Sequence, residues 1–144
     1  MAARFIDPGL LHHDESGPQL LGSRCPECTA TTFPVQTFCP RCARPDMREH
    51  PLPRRGTLWT YTIQAFKPKP PYDGPDDFEP YVVGYVNLDN EVLVEARLEY
   101  GPDEHPRIGE SMALSLTPYV TAPDGTTVMT FAFRPIAHEE EVQP

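Results

Sequence analysis

The chain has 144 residues, 39% of them hydrophobic, and 12 Lys plus Arg against 21 Asp plus Glu give a formal net charge of −9. That length supports one compact domain, or a small ribbon and one modest domain, with a real core, while the acidity disfavours a nucleic-acid or other polyanionic partner. No apolar run approaches the roughly 20 residues needed to cross a bilayer, and residues 1–8 lack the apolar centre of a signal peptide, so a soluble, cytoplasmic protein without membrane association is expected.

Residues 1–18 hold Phe5, Ile6, Leu10 and Leu11 among Pro8, Gly9, Gly17 and Pro18, which predicts an N-terminal arm with at most a short helical turn. A short strand over Gln19–Arg24 then leads into Cys25-Pro-Glu-Cys28, Thr31–Val35 returns, and Cys39-Pro-Arg-Cys42 follows. The chain has no other cysteine. Two Cys-x-x-Cys pairs ten residues apart read as two knuckles, each turning two sulfurs onto one ion, so that Cys25, Cys28, Cys39 and Cys42 form a single tetrathiolate site. Structural disulfides would call for an oxidising compartment, and a reactive dithiol would need only one pair. One zinc per chain is expected, with iron as the second choice because four thiolates also suit a rubredoxin-like centre. Thr29 and Ala43 stand where glycine would most readily let backbone N–H groups reach the sulfurs, which favours zinc. With all four positions thiolate, the ion folds the ribbon rather than catalysing. The ribbon spans 19–50.

Pro51-Leu52-Pro53-Arg54-Arg55-Gly56 is a short connection, and it predicts a fixed arrangement of ribbon and following domain. From Thr57 the period becomes two. Trp59, Tyr61, Ile63 and Ala65 share one face, which is assigned to the core. Tyr81–Leu88 is apolar on both faces, with Val82, Val86 and Leu88 opposite Tyr81, Val83 and Tyr85. Asp89-Asn90 turns it into Val92, Val94, Ala96 and Leu98, which stand opposite Glu95, Arg97 and Glu99. After a loop of about a dozen residues come Met112, Leu114 and Leu116, then Met129, Phe131 and Phe133 beyond a turn at Pro123-Asp124-Gly125. Five short strands with one long connection make a poor sandwich but close into a barrel. The fold class is mainly β: an N-terminal rubredoxin-like zinc ribbon, then a five-stranded OB-fold Greek-key barrel over 51–136. Residues 137–144, with three consecutive glutamates, read as an acidic disordered tail.

The order of the pieces resembles a known family. A four-thiolate ribbon, then Arg55-Gly56-Thr57-Leu58-Trp59-Thr60-Tyr61-Thr62, then Pro80-Tyr81-Val82-Val83-Gly84-Tyr85-Val86, then Ile108-Gly109-Glu110-Ser111-Met112 is similar to the acyl-CoA-associated OB-fold family called domain of unknown function 35, over residues 19–136. The resemblance implies a non-catalytic accessory subunit. It implies as partner a thiolase-like or lipid-transfer-protein-like aldolase subunit, and as chemistry thiolytic or retro-aldol cleavage of acyl-CoA substrates, steroid side chains and aromatic acids among them. Against the family, the N-terminal region is expected to differ, with Gly17-Pro18 and two histidines in place of a clear helix, and no fused hydratase domain is expected.

The residues agree with an accessory role, since neither a hydrolase triad, a zinc-protease motif, a P-loop nor a dinucleotide fingerprint is found. His12, His13, His50, His105 and His138 are too scattered to form a dyad or metal site. For acyl-CoA as ligand of the complex, the candidate cations are Arg54, Arg55, Lys67 and Lys69, because the ligand's phosphates want cations beside an apolar shelf. Lys67 and Lys69 lie in the loop 66–80 and are the only lysines of the chain. The alternative function is a single-stranded nucleic-acid-binding OB module, in which aromatics stack on bases.

Overall fold

The computed structural model describes residues 3–65, 80–101 and 103–136. Ten strands form two sheets: β1 (Ala3–Phe5), β2 (Leu11–Asp14), β3 (Gly17–Arg24), β4 (Thr31–Thr32), β5 (Arg48–Pro51), β6 (Arg55–Gln64), β7 (Tyr81–Leu88), β8 (Val92–Leu98), β9 (Ser111–Thr121) and β10 (Thr127–Pro135).

The barrel is built from β6 to β10. Its strands run β6-β7-β8-β10-β9, and β9 returns to β6 through Arg55↔Ala113, Gly56↔Met112 and Thr57↔Ser111. All neighbours are antiparallel except β8 and β10, which pair in parallel at Arg97↔Ala132 and Leu98↔Phe133. Closure thus comes from the crossover after Leu98, and the result is a five-stranded OB-type barrel. Period-two alternation sends Leu58, Val86, Leu88, Val94, Ala96, Leu98, Met112 and Phe133 inward as one buried cluster, each large side chain contributing about 1.5–3 kcal/mol of burial. Gly84 sits where a Cβ would stand 2.4 Å from the Thr60 carbonyl oxygen and 2.8 Å from a Leu98 methyl. Only glycine lets β6 and β7 approach that closely. At the β7–β8 turn Asp89 and Asn90 take φ of 56° and 59°, left-handed values that these two residue types tolerate. The Asn87 side chain caps the turn by accepting from the Asn90 N–H at 2.9 Å.

Two expectations are corrected. Trp59 was assigned to the core, yet it is 55% exposed, and Tyr61 and Ile63 are also exposed. A bulge turns Trp59 out: Leu58 pairs with Val86 and Thr60 with Tyr85, leaving Trp59 as the extra residue, whereas Tyr61 and Ile63 pair with Gly84 and Val82 on the face of β7 that holds the buried Val86 and stay on the expected register, exposed toward the end of the strand. Leu58 takes the inward position instead, 1% exposed. Residues 1–18 were expected as an arm. Ala3–Phe5 instead joins the barrel sheet, parallel to β10, and Leu11–Asp14 forms a hairpin with β3. The expected helical turn is present as a 3-10 turn over Pro8–Leu10, where Asp7 accepts from the Gly9 N–H. The expected tail, 137–144, lies outside the described residues.

In the ribbon, β3 pairs with β2, β4 and β5. Leu11 and Leu20 from the ribbon, and Leu52 from the connection, belong to the same buried cluster as the barrel. Leu52 is fully buried, and its N–H donates to the Leu20 carbonyl at 2.8 Å. Phe33 meets Phe131 edge-on, with ring centres 5.6 Å apart. At the β7–β8 turn, Glu91 is 2.8 Å from His50 Nε2 and 3.7 Å from Arg24. A shared core, an aromatic contact and an ion-paired corner fix the ribbon on the barrel, as the short connection predicted.

Candidate metal centre and outer face

The ribbon's sequence turns twice in the same way. Cys25 N–H donates to the Ala30 carbonyl and Thr29 N–H to the Cys25 carbonyl; in the second knuckle Cys39 N–H donates to Arg44 and Ala43 N–H to Cys39, all at 2.9 or 3.0 Å. Thr29 and Ala43 both adopt φ of 64°, so the left-handed step usually given to glycine is made here by residues with a Cβ, at about 1–2 kcal/mol each. The turns point N–H groups at sulfur: Cys28 N–H to Cys25 Sγ at 3.5 Å, and Arg41 and Cys42 N–H to Cys39 Sγ at 3.4 Å. Arg41 also ties the knuckles together by donating to the Cys28 carbonyl at 3.3 Å.

The four sulfurs all lie within 4.8 Å of one another. Cys25 Sγ and Cys42 Sγ are 3.6 Å apart, and Cys28 Sγ and Cys39 Sγ 3.5 Å. A tetrahedral zinc with bonds of about 2.3 Å needs sulfur edges of about 3.8 Å, so the cluster is positioned to chelate that ion. The N–H of Cys42, and then that of Arg41, hold the Cys39 thiol down at about 6 despite opposing desolvation. The N–H of Cys28 likewise lowers Cys25. At Cys42 the N–H of Arg44 also lowers, but desolvation and the neighbouring thiols outweigh it and the net shift is upward. Gathered without a cation, the four thiols do not all ionise; a divalent ion removes that conflict. Four thiolates close the coordination sphere, so this is a structural zinc site.

Of the four candidate cations, the described residues include Arg54 and Arg55. Arg54 donates from Nε to the Pro18 carbonyl at 3.1 Å and from Nη2 to the Gly17 carbonyl at 3.0 Å, clamping ribbon to barrel. Arg55 lines a cavity at the start of β6. Lys67 and Lys69 lie outside the described residues. His50 forms the corner with Glu91 described above.

The outer face of β6–β8 carries the apolar surplus expected of Tyr81–Leu88. Tyr85 and Leu93 occupy outward register positions and are 38% and 40% exposed. Trp59 meets Tyr85 edge-on at 6.2 Å. Farther along, the Arg97 guanidinium lies 4.0 Å from the Tyr81 ring centre and 5.5 Å from that of Tyr119. The apolar outward face of Tyr81–Leu88 was its one sequence signal, and the bulge adds Trp59.

The fold and the centre define a class, a four-cysteine ribbon fixed to an OB barrel. Two family models match consecutive stretches: the ChsH2 rubredoxin-like zinc ribbon domain over residues 18–48 and the ChsH2 C-terminal OB-fold domain over residues 49–117. The chain belongs to this ChsH2/DUF35-type family, which is associated with thiolase-like, acyl-CoA-processing subunits. It is 29% identical over 135 residues to the benzoylsuccinyl-CoA thiolase subunit BbsA of Thauera aromatica, covering 92% of this chain and 88% of that protein. The BbsA subunit of Geobacter metallireducens is also 29% identical, with 92% and 87% covered. A DUF35 domain-containing scaffold protein of Methanothermobacter thermautotrophicus is 26% identical, with 81% and 86% covered. Among solved structures, an Ltp2-ChsH2(DUF35) aldolase matches with a TM-score of 0.57 and 25% identity over 81% of this chain and 84% of the other. Among the described residues no helix is long and apolar enough to cross a membrane.

Proposed function

We propose that the chain is a non-catalytic accessory subunit that binds a thiolase-like enzyme and supports acyl-CoA binding during thiolytic or retro-aldol carbon–carbon cleavage. The observation that carries this reading is the outer aromatic face. Trp59, 55% exposed and turned outward by a bulge, stands with Tyr85, Leu93, Tyr81 and Arg97 on one side of the barrel. Trp, Tyr and Arg are the side chains that dominate binding energy at protein interfaces, and a folded chain seldom leaves such a group uncovered without a partner. The relatives support the choice of partner, since they are a thiolase subunit, a scaffold protein and a component of an aldolase. The zinc holds the ribbon and takes no part in the chemistry, because its four positions are filled by thiolates.

The test is co-expression with a thiolase-like candidate followed by size exclusion. A complex is expected, and Trp59→Ser should weaken it by about 30-fold or more, the scale of an interface hot spot, with the circular dichroism of the free chain unchanged. Failure to form a complex, or a complex indifferent to Trp59 and Tyr85 substitutions, contradicts the reading.

A further inference from the structure

At the end of the barrel nearest the ribbon, a cavity of about 380 Å³ is lined by Pro53, Arg55, Gly56, Thr57, Asn87, Asp89, Asn90, Ser111 and Ile136. Its size falls within the roughly 300–1,000 Å³ of small-molecule sites. Its polar groups are of two kinds. The amides of Asn87 and Asn90 are engaged with each other, Asn87 Nδ2 donating to Asn90 Oδ1 at 3.0 Å and Asn90 N–H to Asn87 Oδ1 at 2.9 Å. The Arg55 guanidinium and the Thr57 and Ser111 hydroxyls have no side-chain partner among the described residues. Arg54, one residue earlier, spends its guanidinium on Gly17 and Pro18. Arg55 is therefore the cation at this end of β6 that is left to meet a ligand.

The donors define the ligand's chemistry. A guanidinium beside two hydroxyls suits a phosphoryl group, which accepts several charge-assisted hydrogen bonds at once. The Asp89 carboxylate on the same wall repels a bare oxyanion but accepts a hydrogen bond from a hydroxyl. A phosphorylated ribose satisfies both, with phosphate on Arg55 and a sugar hydroxyl on Asp89, the pairing by which acidic side chains hold ribose elsewhere. The backbone comes close here too: a Cβ on Gly56 would stand 2.4 Å from the Asn87 carbonyl oxygen, so the cavity floor is main chain locked in register.

We propose that this cavity binds a phosphorylated ribose and, on the reading above that the chain supports acyl-CoA binding, that it receives the 3′-phosphoribosyl end of coenzyme A. The site lies at the start of β6, whereas Lys67 and Lys69 follow that strand in sequence, so the two sets of candidate cations predict different mutants.

The test titrates adenosine 3′,5′-bisphosphate, adenosine and inorganic phosphate into the isotope-labelled full chain and follows backbone amide shifts. Shifts confined to residues 55–57, 87–90 and 111 are expected with the bisphosphate, weaker ones with phosphate and none with adenosine. Arg55→Gln should weaken bisphosphate binding about 10- to 100-fold, the scale of a lost charge-assisted contact, whereas Lys67→Ala with Lys69→Ala should leave it unchanged. Asp89→Asn should tighten inorganic phosphate while narrowing the bisphosphate's advantage over it. Shifts that map elsewhere, binding indifferent to Arg55→Gln, or equal affinity for bisphosphate and phosphate would each overturn the assignment. Complex formation with the partner enzyme is measured separately, so a silent cavity with an intact complex refutes this inference and leaves the proposed function standing.

Discussion

At the scale of single residues, the metal centre shows which requirement dominates a knuckle. Two left-handed residues with a Cβ cost about 1–2 kcal/mol each, and neither is avoided, because the sulfur geometry they create supports an ion whose binding is worth about 10–16 kcal/mol in comparable zinc sites. Ala43→Gly should therefore stabilise the ribbon by about 0.5–1 kcal/mol, the relief of the left-handed step less the entropic cost of glycine, as read by thermal unfolding of the metal-loaded protein. Thr29→Gly should gain less, because it also removes the hydroxyl bond to the Cys28 carbonyl at 2.6 Å. The pH dependence follows from the thiols. Cys39, held at about 6 against an ordinary 9.0, has a depressed folded value, so its contribution is full above 9 and is lost as the pH falls through 6. Acid should release the ion, because protons compete with it for the thiolates, and a zinc-sensitive dye should report metal loss on acidification that reverses on neutralisation with added zinc.

At the scale of elements, the barrel strands were readable where alternation is unbroken. Val82 to Leu88, Val92 to Leu98 and the turn at Asp89-Asn90 all lie as their pattern requires, because one buried face fixes the register of a strand. The misreadings have local causes. A bulge has no hydrophobic signature, so nothing in the pattern separates Trp59 from the face of Tyr61 and Ile63. The strand Arg48–Pro51 is polar and short, with one residue half-buried, and periodicity has nothing to act on there. The hairpin of β2 and β3 turns through Gly17 at φ 107°, which reads equally well as an ordinary loop. The four cysteines were fully legible because metal ligation fixes residue type and spacing together, whereas a cavity such as that beside Arg55 is assembled from four separated segments and leaves no local pattern. At this scale the sharpest prediction concerns Gly84: Gly84→Ala should destabilise the barrel by about 1–3 kcal/mol, as overpacking does, since its Cβ would strike the Thr60 carbonyl and Leu98. Denaturant unfolding followed through the single Trp59 reads the effect, and an unchanged midpoint would show that the β6–β7 approach is not held as described.

At the scale of the whole molecule, ribbon and barrel act as one body because Leu20, Leu52 and Phe33 join them through a common core. The structural zinc holds the ribbon in shape and the barrel presents its aromatic face outward, and the proposed function leaves the catalytic groups to a partner. The measurement that tests this most directly is turnover of an acyl-CoA substrate by three preparations: the chain alone, a co-expressed thiolase-like partner alone, and the complex. The account predicts no turnover by the chain alone, and higher activity or a lower KM for the complex than for the partner alone. Turnover by the isolated chain that is abolished by a substitution within it, or a partner equally active with and without the chain, would contradict the account.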